Sequence, residues 1–326
     1  MQADTIFNIQ NNTSFEEKCL EVFQFQYINN KVYQRYCNLL GVNKTSVKTI
    51  QDIPFLPIEF FKKDRVVASA NAVQKTFTSS GTTGQQTSKH LVTDISLYEQ
   101  SYLKAFNNFY GSEEDYCILA LLPAYLEREG SSLVYMVDDL IKRSKHPKSG
   151  FYLNNLEELS NTIIELERKG QKTLLIGVSF ALLDLIEKKQ FNLKYTTVME
   201  TGGMKGRRKE IIRTELHQIL KKGFRVANIH SEYGMTELLS QAYSKGNGVF
   251  ECPPWMKIQL RNTENPLEGI TEQGKTGGIN VIDFANMNSC SFIATQDLGK
   301  LYNDNTFEIL GRFDNSDIRG CNLMVL

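Results

Sequence analysis

The sequence predicts an α/β fold, with mostly parallel sheet flanked by helices, that ends in a β-rich C-terminal subdomain. From Tyr116 to His230, short apolar runs of strand length alternate with amphipathic stretches of helical length. This alternation is typical of βαβ units and therefore of a parallel sheet. After Ser240 the pattern changes to short strand-like runs separated by turns that contain Gly and Asn.

The individual elements follow from the spacing of apolar residues and from the residues that begin or end them. A helix is predicted over 15–40, ending at Gly41, and an extended segment over the proline-punctuated stretch 52–61. Asp94 is predicted to cap a helix that reaches Tyr110. The predicted strands are 116–122, 173–178, 196–200 and 225–230, and the helices between them are 131–142, 156–169, 180–189 and 207–222. In the β-rich part, strands are predicted at 257–261, 274–278, 279–284 and 307–310.

The chain has 326 residues, enough for one large or two ordinary domains with a substantial core. We predict three parts. A helical and extended segment (1–75) packs on the core, an α/β core spans 76–240, and the β-rich subdomain spans 241–326.

Composition excludes several classes of function. Lys+Arg and Asp+Glu both total 37, so no excess of positive charge favours nucleic acid or an anionic membrane as a partner. No apolar run approaches the roughly 18 residues that would cross a bilayer. The N-terminus has no basic region followed by an apolar one, so no signal peptide is expected.

The cysteines and histidines do not have the spacing of metal ligands. The six cysteines (19, 37, 117, 252, 290 and 321) form no C-x-x-C pair, and we expect them to be reduced, in the cytoplasm. The four histidines (90, 146, 217 and 230) form no i, i+4 pair, so no structural zinc site is expected.

A run of hydroxyls and glycines after Phe77 is the strongest functional signal. It is followed by Lys89 and consists of Thr78, Ser79, Ser80, Gly81, Thr82, Thr83 and Gly84. Backbone N–H groups near glycines and Ser/Thr hydroxyls can surround a phosphate, and a lysine can add a positive charge. The spacing is not that of a Walker A loop. Alone, the run is equally compatible with a flexible surface loop.

Four further motifs follow in the second half of the chain. Two come directly after predicted strands, and two lie in the β-rich part. They are Glu200-Thr201-Gly202-Gly203, His230-Ser231-Glu232-Tyr233-Gly234-Met235-Thr236-Glu237, Thr295-Gln296-Asp297-Leu298-Gly299 and the stretch from Gly311-Arg312 to Gly320. Each alone is also compatible with an ordinary turn, but their order and separation are not expected by chance.

Together the five motifs resemble the adenylate-forming superfamily, which includes acyl-CoA synthetases and peptide-synthetase adenylation domains. The resemblance spans residues 76–320. It implies the large N-terminal domain of those enzymes, ATP and Mg²⁺ as cofactors, and a role for each motif. Gln86 replaces a usual proline, Lys89 falls two positions late, Gln296 replaces a glycine, and the last motif is shortened.

The resemblance assigns the site residues as follows. The hydroxyl-rich loop would bind the β- and γ-phosphates, with Lys89 as a candidate catalytic residue. Gly202, Gly203, Tyr233 and Gly234 would form the adenine slot, and Asp297 and Arg312 would bind the ribose. Thr236 would contact the α-phosphate, and Glu237 would position Mg²⁺.

The short C-terminus suggests one branch of the superfamily. Other members continue into a mobile domain that carries a catalytic lysine, whereas this sequence stops six residues after Gly320. Lys205, Lys89 or a partner would have to replace that lysine. The chain resembles the acyl-protein synthetases of the LuxE type, related to phenylacetate-CoA ligases, which pass the acyl group to a cysteine near their own C-terminus. Cys321 would be that acceptor here.

The resemblance therefore implies a cytoplasmic enzyme that activates a carboxylic acid to acyl-AMP and transfers the acyl group to a thiol. A fatty acid is the expected substrate, and an aromatic acid is the alternative. The acceptor is Cys321, or else coenzyme A or a carrier protein, and a reductase is a possible partner. A non-catalytic nucleotide-binding scaffold is the remaining alternative.

Overall fold

The computed structural model describes residues 3–9, 11–79, 87–122, 130–153, 155–202, 208, 211–302 and 304–313. The chain forms two compact units, and each combines segments that are distant in sequence. The first unit consists of Met1–Lys75, His90–Asp94 and Pro254–Leu326, and the second of Thr76–Lys89 and Ile95–Pro253. The division into three parts that the sequence suggests stays a prediction.

The helices of the described residues are α1 (Asn12–Asn29), α2 (Lys31–Leu39), α3 (Phe60–Lys63), α4 (Ile95–Tyr110), α5 (Ser132–Ser144), α6 (Leu156–Arg168), α7 (Ser179–Lys188) and α8 (Arg213–Phe224). Short 3-10 turns occur at Ala3–Phe7, Ile50–Asp52, Glu113–Asp115 and Phe284–Asn286.

The strands of the described residues are β1 (Leu56–Pro57), β2 (Lys75–Thr78), β3 (Lys89–Val92), β4 (Cys117–Leu121), β5 (Gly150–Phe151), β6 (Thr173–Gly177), β7 (Thr196–Thr201), β8 (His230–Tyr233), β9 (Ala242–Ser244), β10 (Val249–Phe250), β11 (Met256–Arg261), β12 (Gly269–Ile270), β13 (Thr276–Asp283), β14 (Phe292–Leu301) and β15 (Phe307–Arg312).

The second unit contains the predicted parallel sheet. Its strand order is β5-β4-β6-β7-β8-β9, parallel up to β8, with β9 antiparallel at the edge. Every residue of β4 and β6 is buried, as expected for central strands of a parallel sheet. In the register of β7 and β8, Glu200 lies beside Ser231 and Thr201 beside Glu232. The carboxyl ends of β7 and β8 therefore meet at one edge of the sheet.

The first unit contains the predicted β-rich part. Five of its strands pair antiparallel in the order β15-β14-β13-β11-β12. The first half of β14 also pairs in parallel with β1, where Leu56 lies beside Ile293. Its second half pairs with β15, which places Asp297 beside Arg312.

The N-terminal helical segment is two helices, whereas the sequence predicts one over 15–40. Asn30 separates them, because its backbone is extended (φ −98°, ψ 102°) while its side chain accepts a hydrogen bond from Tyr33 N at 3.0 Å. The same side chain donates from Nδ2 to Ser289 O at 2.9 Å. A buried asparagine that caps one helix and binds a distant carbonyl overrides the apolar periodicity.

Three other boundaries differ from the prediction. The segment 52–61 is only partly extended, since it contains β1 and the start of α3. The last helix of the second unit begins at Arg213 rather than near 207. Arg225 ends that helix in a left-handed conformation (φ +54°), and the strand predicted at 225–230 begins only at His230. Strand β14 was not predicted at all.

Five of the six cysteines lie among the described residues, and none of these five forms a disulfide. Cys19, Cys37, Cys117 and Cys290 are buried, whereas Cys252 is half-buried. In the described part of the chain, no helix combines the length and the apolar character that a membrane span requires.

Candidate functional site

In the second unit, hydrogen bonds join the residues on either side of the hydroxyl-rich loop. Thr78 ends β2, and its backbone N donates to Gly130 O at 2.8 Å. One residue later, Ser79 N donates to Ser88 O at 3.1 Å, and Ser88 N donates to Ser79 Oγ at 2.9 Å. These bonds join the two ends of the loop. The predicted phosphate contacts Ser80, Gly81, Thr82, Thr83 and Gly84 lie outside the described residues, and Lys89 is exposed.

Gly130 shows how closely the chain passes the base of this loop. Its φ is +98°, a region that favours glycine. A Cβ at this position would also lie only 2.7 Å from Thr78 Oγ1. A larger residue at 130 would therefore displace Thr78, the first predicted phosphate contact.

The segment that follows β8 forms a tight turn. Leu238 N donates to Met235 O at 3.1 Å, which closes the turn around Thr236 and Glu237. Glu237 is only 5% exposed, and Thr236 is half-buried. The ring of Tyr233 is edge-on to Phe250, with 6.1 Å between the ring centroids. Strand β8 thus ends in a turn that carries a hydroxyl, a carboxylate and an aromatic ring.

The neighbouring strand β7 ends beside this turn. Gly202 follows it with a φ of +72°, and its carbonyl accepts a hydrogen bond from Ser179 Oγ at 2.6 Å. Gly203 lies outside the described residues. In open α/β sheets, ligands bind at the carboxyl ends of the strands, where Gly202 and Tyr233 are located.

A buried charged cluster, which the sequence analysis did not identify, supports this edge of the sheet. It consists of Glu200 at the end of β7 and Arg213 and His217 on α8. Glu200 Oε1 is 3.4 Å from Arg213 Nε and 3.5 Å from His217 Nε2. Burial raises the pKa of Glu200, but the hydrogen bond from His217 and the charge of Arg213 outweigh that effect, so the pKa lies below its ordinary value.

Glu232 has the opposite electrostatic environment on the neighbouring strand. It is partly buried, and its Oε2 accepts a hydrogen bond from Thr201 Oγ1 at 2.6 Å. Burial raises the pKa of Glu232 to about 7, with a further contribution from the negative charge of Glu200, although the Thr201 hydrogen bond opposes both. One carboxylate of this edge is therefore ionised, while its neighbour titrates near neutral pH.

Two signals in the sequence point to these groups. Glu200 is the one charged residue of the predicted strand 196–200, and a carboxylate that is buried there must be paired. Arg213 and His217 have i, i+4 spacing, which places them on one face of a helix. Sequence alone does not pair this helix face with that strand, because the contact joins residues that are distant along the chain.

The remaining predicted site residues belong to the first unit. Arg312 Nε donates to Asp297 Oδ1 at 3.2 Å across the β14–β15 pair. The backbone N of Asp297 donates to Thr295 Oγ1 at 3.1 Å. Asp297 is 6% exposed, whereas the side chain of Arg312 is 77% exposed. Cys321 lies outside the described residues.

Comparison with protein families gives a match to the family described as acyl-protein synthetase, LuxE, over residues 6–123. Two curated relatives are long-chain-fatty-acid–luciferin-component ligases. The one from Vibrio harveyi is 24% identical and the alignment covers 92% of this chain and 84% of the relative. The one from Aliivibrio fischeri is also 24% identical, with 93% and 85% covered.

Solved structures share the fold at low sequence identity. A 2-hydroxyisobutyryl-CoA ligase in complex with its acyl adenylate and CoA superposes with a TM-score of 0.69 at 12% identity, over 94% of this chain and 70% of that chain. ATP-bound MatB from Rhodopseudomonas palustris superposes with a TM-score of 0.55 at 17% identity, over 76% of this chain. The match spans about half of the MatB chain, 49% of its length. The chain therefore shares the fold of these ligases and is similar in sequence to the LuxE acyl-protein synthetases.

Proposed function

We propose that this protein activates a carboxylic acid with ATP and then transfers the acyl group to a thiol. The carboxylate oxygen attacks the α-phosphorus, and the bond to pyrophosphate breaks, which leaves acyl-AMP. The thiolate then attacks the acyl carbon, and AMP leaves. The observation that carries this proposal is the turn at the end of β8, which presents Tyr233, Thr236 and Glu237 in a chain related to acyl-protein synthetases.

The first step brings together two anions, so it depends on charge neutralisation and alignment more than on acid–base chemistry. In our proposal the loop from Thr78 to Gly84 binds the β- and γ-phosphates, and Thr236 contacts the α-phosphate. Gly202, Gly203, Tyr233 and Gly234 surround the adenine. Asp297 and Arg312 contact the ribose. Lys89 is a candidate for the role of the lysine that adenylate-forming enzymes carry in a mobile C-terminal domain.

Mg²⁺ suits the residues that are present. Among the described residues, no three His, Cys, Asp or Glu side chains come together as metal ligands. Mg²⁺ commonly binds through one or two carboxylates together with substrate phosphates, and Glu237 supplies such a carboxylate. When bound, the ion would neutralise phosphate charge. Glu237 would position it there.

A long-chain fatty acid is the proposed substrate, because both curated relatives carry that name. The surroundings of the described cysteines support Cys321 as the proposed acyl acceptor. Burial raises the pKa of Cys117 to about 11 and that of Cys37 to about 12, so these thiols would be poor nucleophiles. Burial also raises the pKa of Cys19 and of Cys290. Cys321 is our proposed acceptor, and Cys252 is the half-buried alternative.

The proposed acceptor is internal, and a second protein such as a reductase or carrier protein would take the acyl group from it. Coenzyme A remains the alternative acceptor, because the solved 2-hydroxyisobutyryl-CoA ligase shares the fold. Because the reaction consumes ATP, we propose that it takes place in the cytoplasm.

The test is pyrophosphate–ATP exchange with fatty acids of increasing length. We expect acid-dependent exchange in the wild type and a loss of at least about a hundredfold in Thr236→Ala and Glu237→Ala. Cys321→Ser should retain exchange but lose thiol-labile labelling by a radioactive fatty acid, whereas Cys252→Ser should retain both. Wild-type exchange in Glu237→Ala would contradict the site, and coenzyme-A-dependent release of AMP would identify the alternative acceptor.

A further inference from the structure

The charged cluster of Glu200, Arg213 and His217 lies beneath the edge of the sheet but contains none of the residues proposed to contact ATP. Glu200 and His217 are each 4% exposed. A buried carboxylate is costly unless it is paired, and replacing such a cluster by apolar side chains of similar size is often neutral or stabilising. Net stability is therefore a weak explanation for three ionisable groups at this place.

One set of contacts links the cluster to the end of β7. Ser179 Oγ is 2.6 Å from Gly202 O and 3.4 Å from Glu200 Oε2. The single hydroxyl hydrogen of Ser179 can be donated to the Gly202 carbonyl, which is the shorter contact, or to the Glu200 carboxylate. Gly202 has a positive φ, so it has few local restraints of its own. Ser179, which Glu200 also contacts, restrains the carbonyl of Gly202.

A second set of contacts links the same cluster to the end of β8. His217 Nε2 is 3.4 Å from the hydroxyl of Ser231, the residue beside Glu200 in the strand register. The guanidinium of Arg213 lies 5.0 Å from the ring centroid of Phe250. Phe250 in turn is edge-on to Tyr233. Helix α8 therefore contacts both strand ends through two side chains that share one carboxylate.

We propose that Glu200, Arg213 and His217 are positioning residues that fix Gly202 and Tyr233 for nucleotide binding. The inference rests on the proposed function, because it takes Gly202 and Tyr233 as the adenine contacts. The cluster acts through Ser179, Ser231 and Phe250 and does not itself contact the nucleotide. Its loss should weaken ATP binding while the site for the carboxylic acid keeps its affinity.

The first test compares Glu→Gln substitutions of two carboxylates, Glu200 near the end of β7 and Glu167 on α6, which contacts the start of β7. Glu200→Gln removes the charge of the cluster. Glu167→Gln is the matched control, because Glu167 accepts hydrogen bonds from Lys194 N (2.8 Å) and Thr196 Oγ1 (2.6 Å) at the start of the same strand. We expect the KM for ATP in pyrophosphate exchange and the calorimetric Kd for ATP·Mg²⁺ to rise about tenfold in Glu200→Gln only. The KM for the acid should change less than about twofold.

Two further variants separate positioning from stability. His217→Gln keeps a hydrogen-bond donor toward Glu200, so it should retain most of the ATP affinity that His217→Leu loses. Arg213→Met keeps an aliphatic stem over Phe250 but removes the charge. The Arg213 side chain is 31% exposed, so we expect this variant to fold even if Glu200→Gln does not. In that case Arg213→Met tests whether the cluster affects ATP affinity. Thermal unfolding verifies that each variant is folded.

The outcomes are distinct. ATP affinity at the wild-type level in folded Glu200→Gln and Arg213→Met would overturn the inference and leave the proposed function intact. An equal loss of ATP affinity in Glu167→Gln would mean that the cluster has only a structural role, and it would also overturn the inference. If the wild type neither binds ATP nor exchanges pyrophosphate, the proposed function fails, and the inference fails with it.

Discussion

Arg312 Nε donates a hydrogen bond to Asp297 Oδ1 at 3.2 Å, which joins the two residues that sequence motifs single out in the β-rich part of the chain. The whole side chain of Asp297 is 9% exposed, and that of Arg312 is 77% exposed. One partner is therefore fixed in the sheet, while the other extends from it. Such a pair can reorganise when a polar ligand takes the place of one of its hydrogen bonds.

We predict that Arg312→Ala weakens ATP binding without unfolding the protein. An ion pair with one highly exposed partner contributes only about 0–1 kcal/mol to stability. A residue that contacts the ribose or a phosphate should cost more, and we expect the KM for ATP to rise roughly tenfold. The readouts are pyrophosphate exchange and thermal unfolding. Arg143→Ala, which breaks the partly exposed pair with Asp139, is the control and should leave the KM unchanged.

We predict that Glu232 makes stability depend on pH near neutrality. The pKa of this carboxyl is about 7 in the folded protein, above its ordinary value of 4.5, because burial favours the neutral form. The contribution of neutral Glu232 to the free energy of unfolding is complete below about pH 4.5 and is lost as the pH rises through 7. The total loss of stability is roughly 3 kcal/mol at most. Urea unfolding from pH 5 to 8 should therefore show a steeper fall for the wild type than for Glu232→Gln.

Neighbouring groups give this prediction a second test. Glu200 raises the pKa of Glu232, and the neutral residues Tyr110 and Tyr243 also lie near that carboxyl. Glu200→Gln removes this negative charge and should lower the pKa of Glu232, so we expect the pH-dependent loss of stability to shift to lower pH. An identical pH slope in wild type and Glu232→Gln would contradict the assignment.

We predict that Arg261 is essential for the stability of the antiparallel sheet. It is 6% exposed, and its guanidinium donates to Ile279 O at 2.7 Å, to Asn280 Oδ1 at 2.9 Å and to Thr295 O. Arg261→Met would remove these three hydrogen bonds, although Ile279 O would keep the one from Thr295 Oγ1, at a cost of about 2–4 kcal/mol. Urea unfolding measures the loss. Lys275→Met, at an exposed position of the same unit, should cost less than about 0.5 kcal/mol.

The central elements of the fold were predictable because local pattern and tertiary environment agree there. Strands β4 and β6 are apolar in sequence and buried along their whole length. Asn30 and Arg225 are the contrary cases. Asn30 interrupts an apolar periodicity because it binds Ser289 O, more than 250 residues away, and Arg225 ends α8 in a left-handed conformation that few non-glycine residues adopt.

The candidate site also contains both residues that a local sequence pattern singles out and residues that only tertiary packing brings together. Short local motifs single out Tyr233, Glu237 and Asp297 as candidate site residues, which stay a prediction. They did not identify the cluster around Glu200, because its partners lie on a helix that sequence reasoning could not assign to that strand. The pairing of Glu200 with His217 depends on how α8 packs on the sheet. The local sequence of neither element determines that packing.

The position of α8 leads to a final prediction, on the packing of α8 against α7. Gly223 on α8 faces Ile186 on α7, and a Cβ at 223 would lie 2.6 Å from Ile186 Cβ. Gly223→Ala should therefore force the helices apart and cost about 1–3 kcal/mol of stability. Because α8 also carries Arg213 and His217, the same substitution should weaken ATP binding. Urea unfolding and calorimetric titration with ATP·Mg²⁺ measure the two effects.

Ile186→Ala tests this packing argument, because it removes Ile186 Cδ1 and Cγ2, each 2.7 Å from the new methyl group, although it retains Cβ. Alone it should destabilise the protein through the cavity that it leaves. In the double variant Gly223→Ala/Ile186→Ala the new methyl group would occupy part of that cavity, so the loss should be smaller than the sum of the two single losses by about 1 kcal/mol or more. Strictly additive losses would mean that Gly223 is not required for the close approach of α7 and α8. Lys222→Ala, at an exposed position of α8, is the surface control and should change neither the stability nor the ATP affinity.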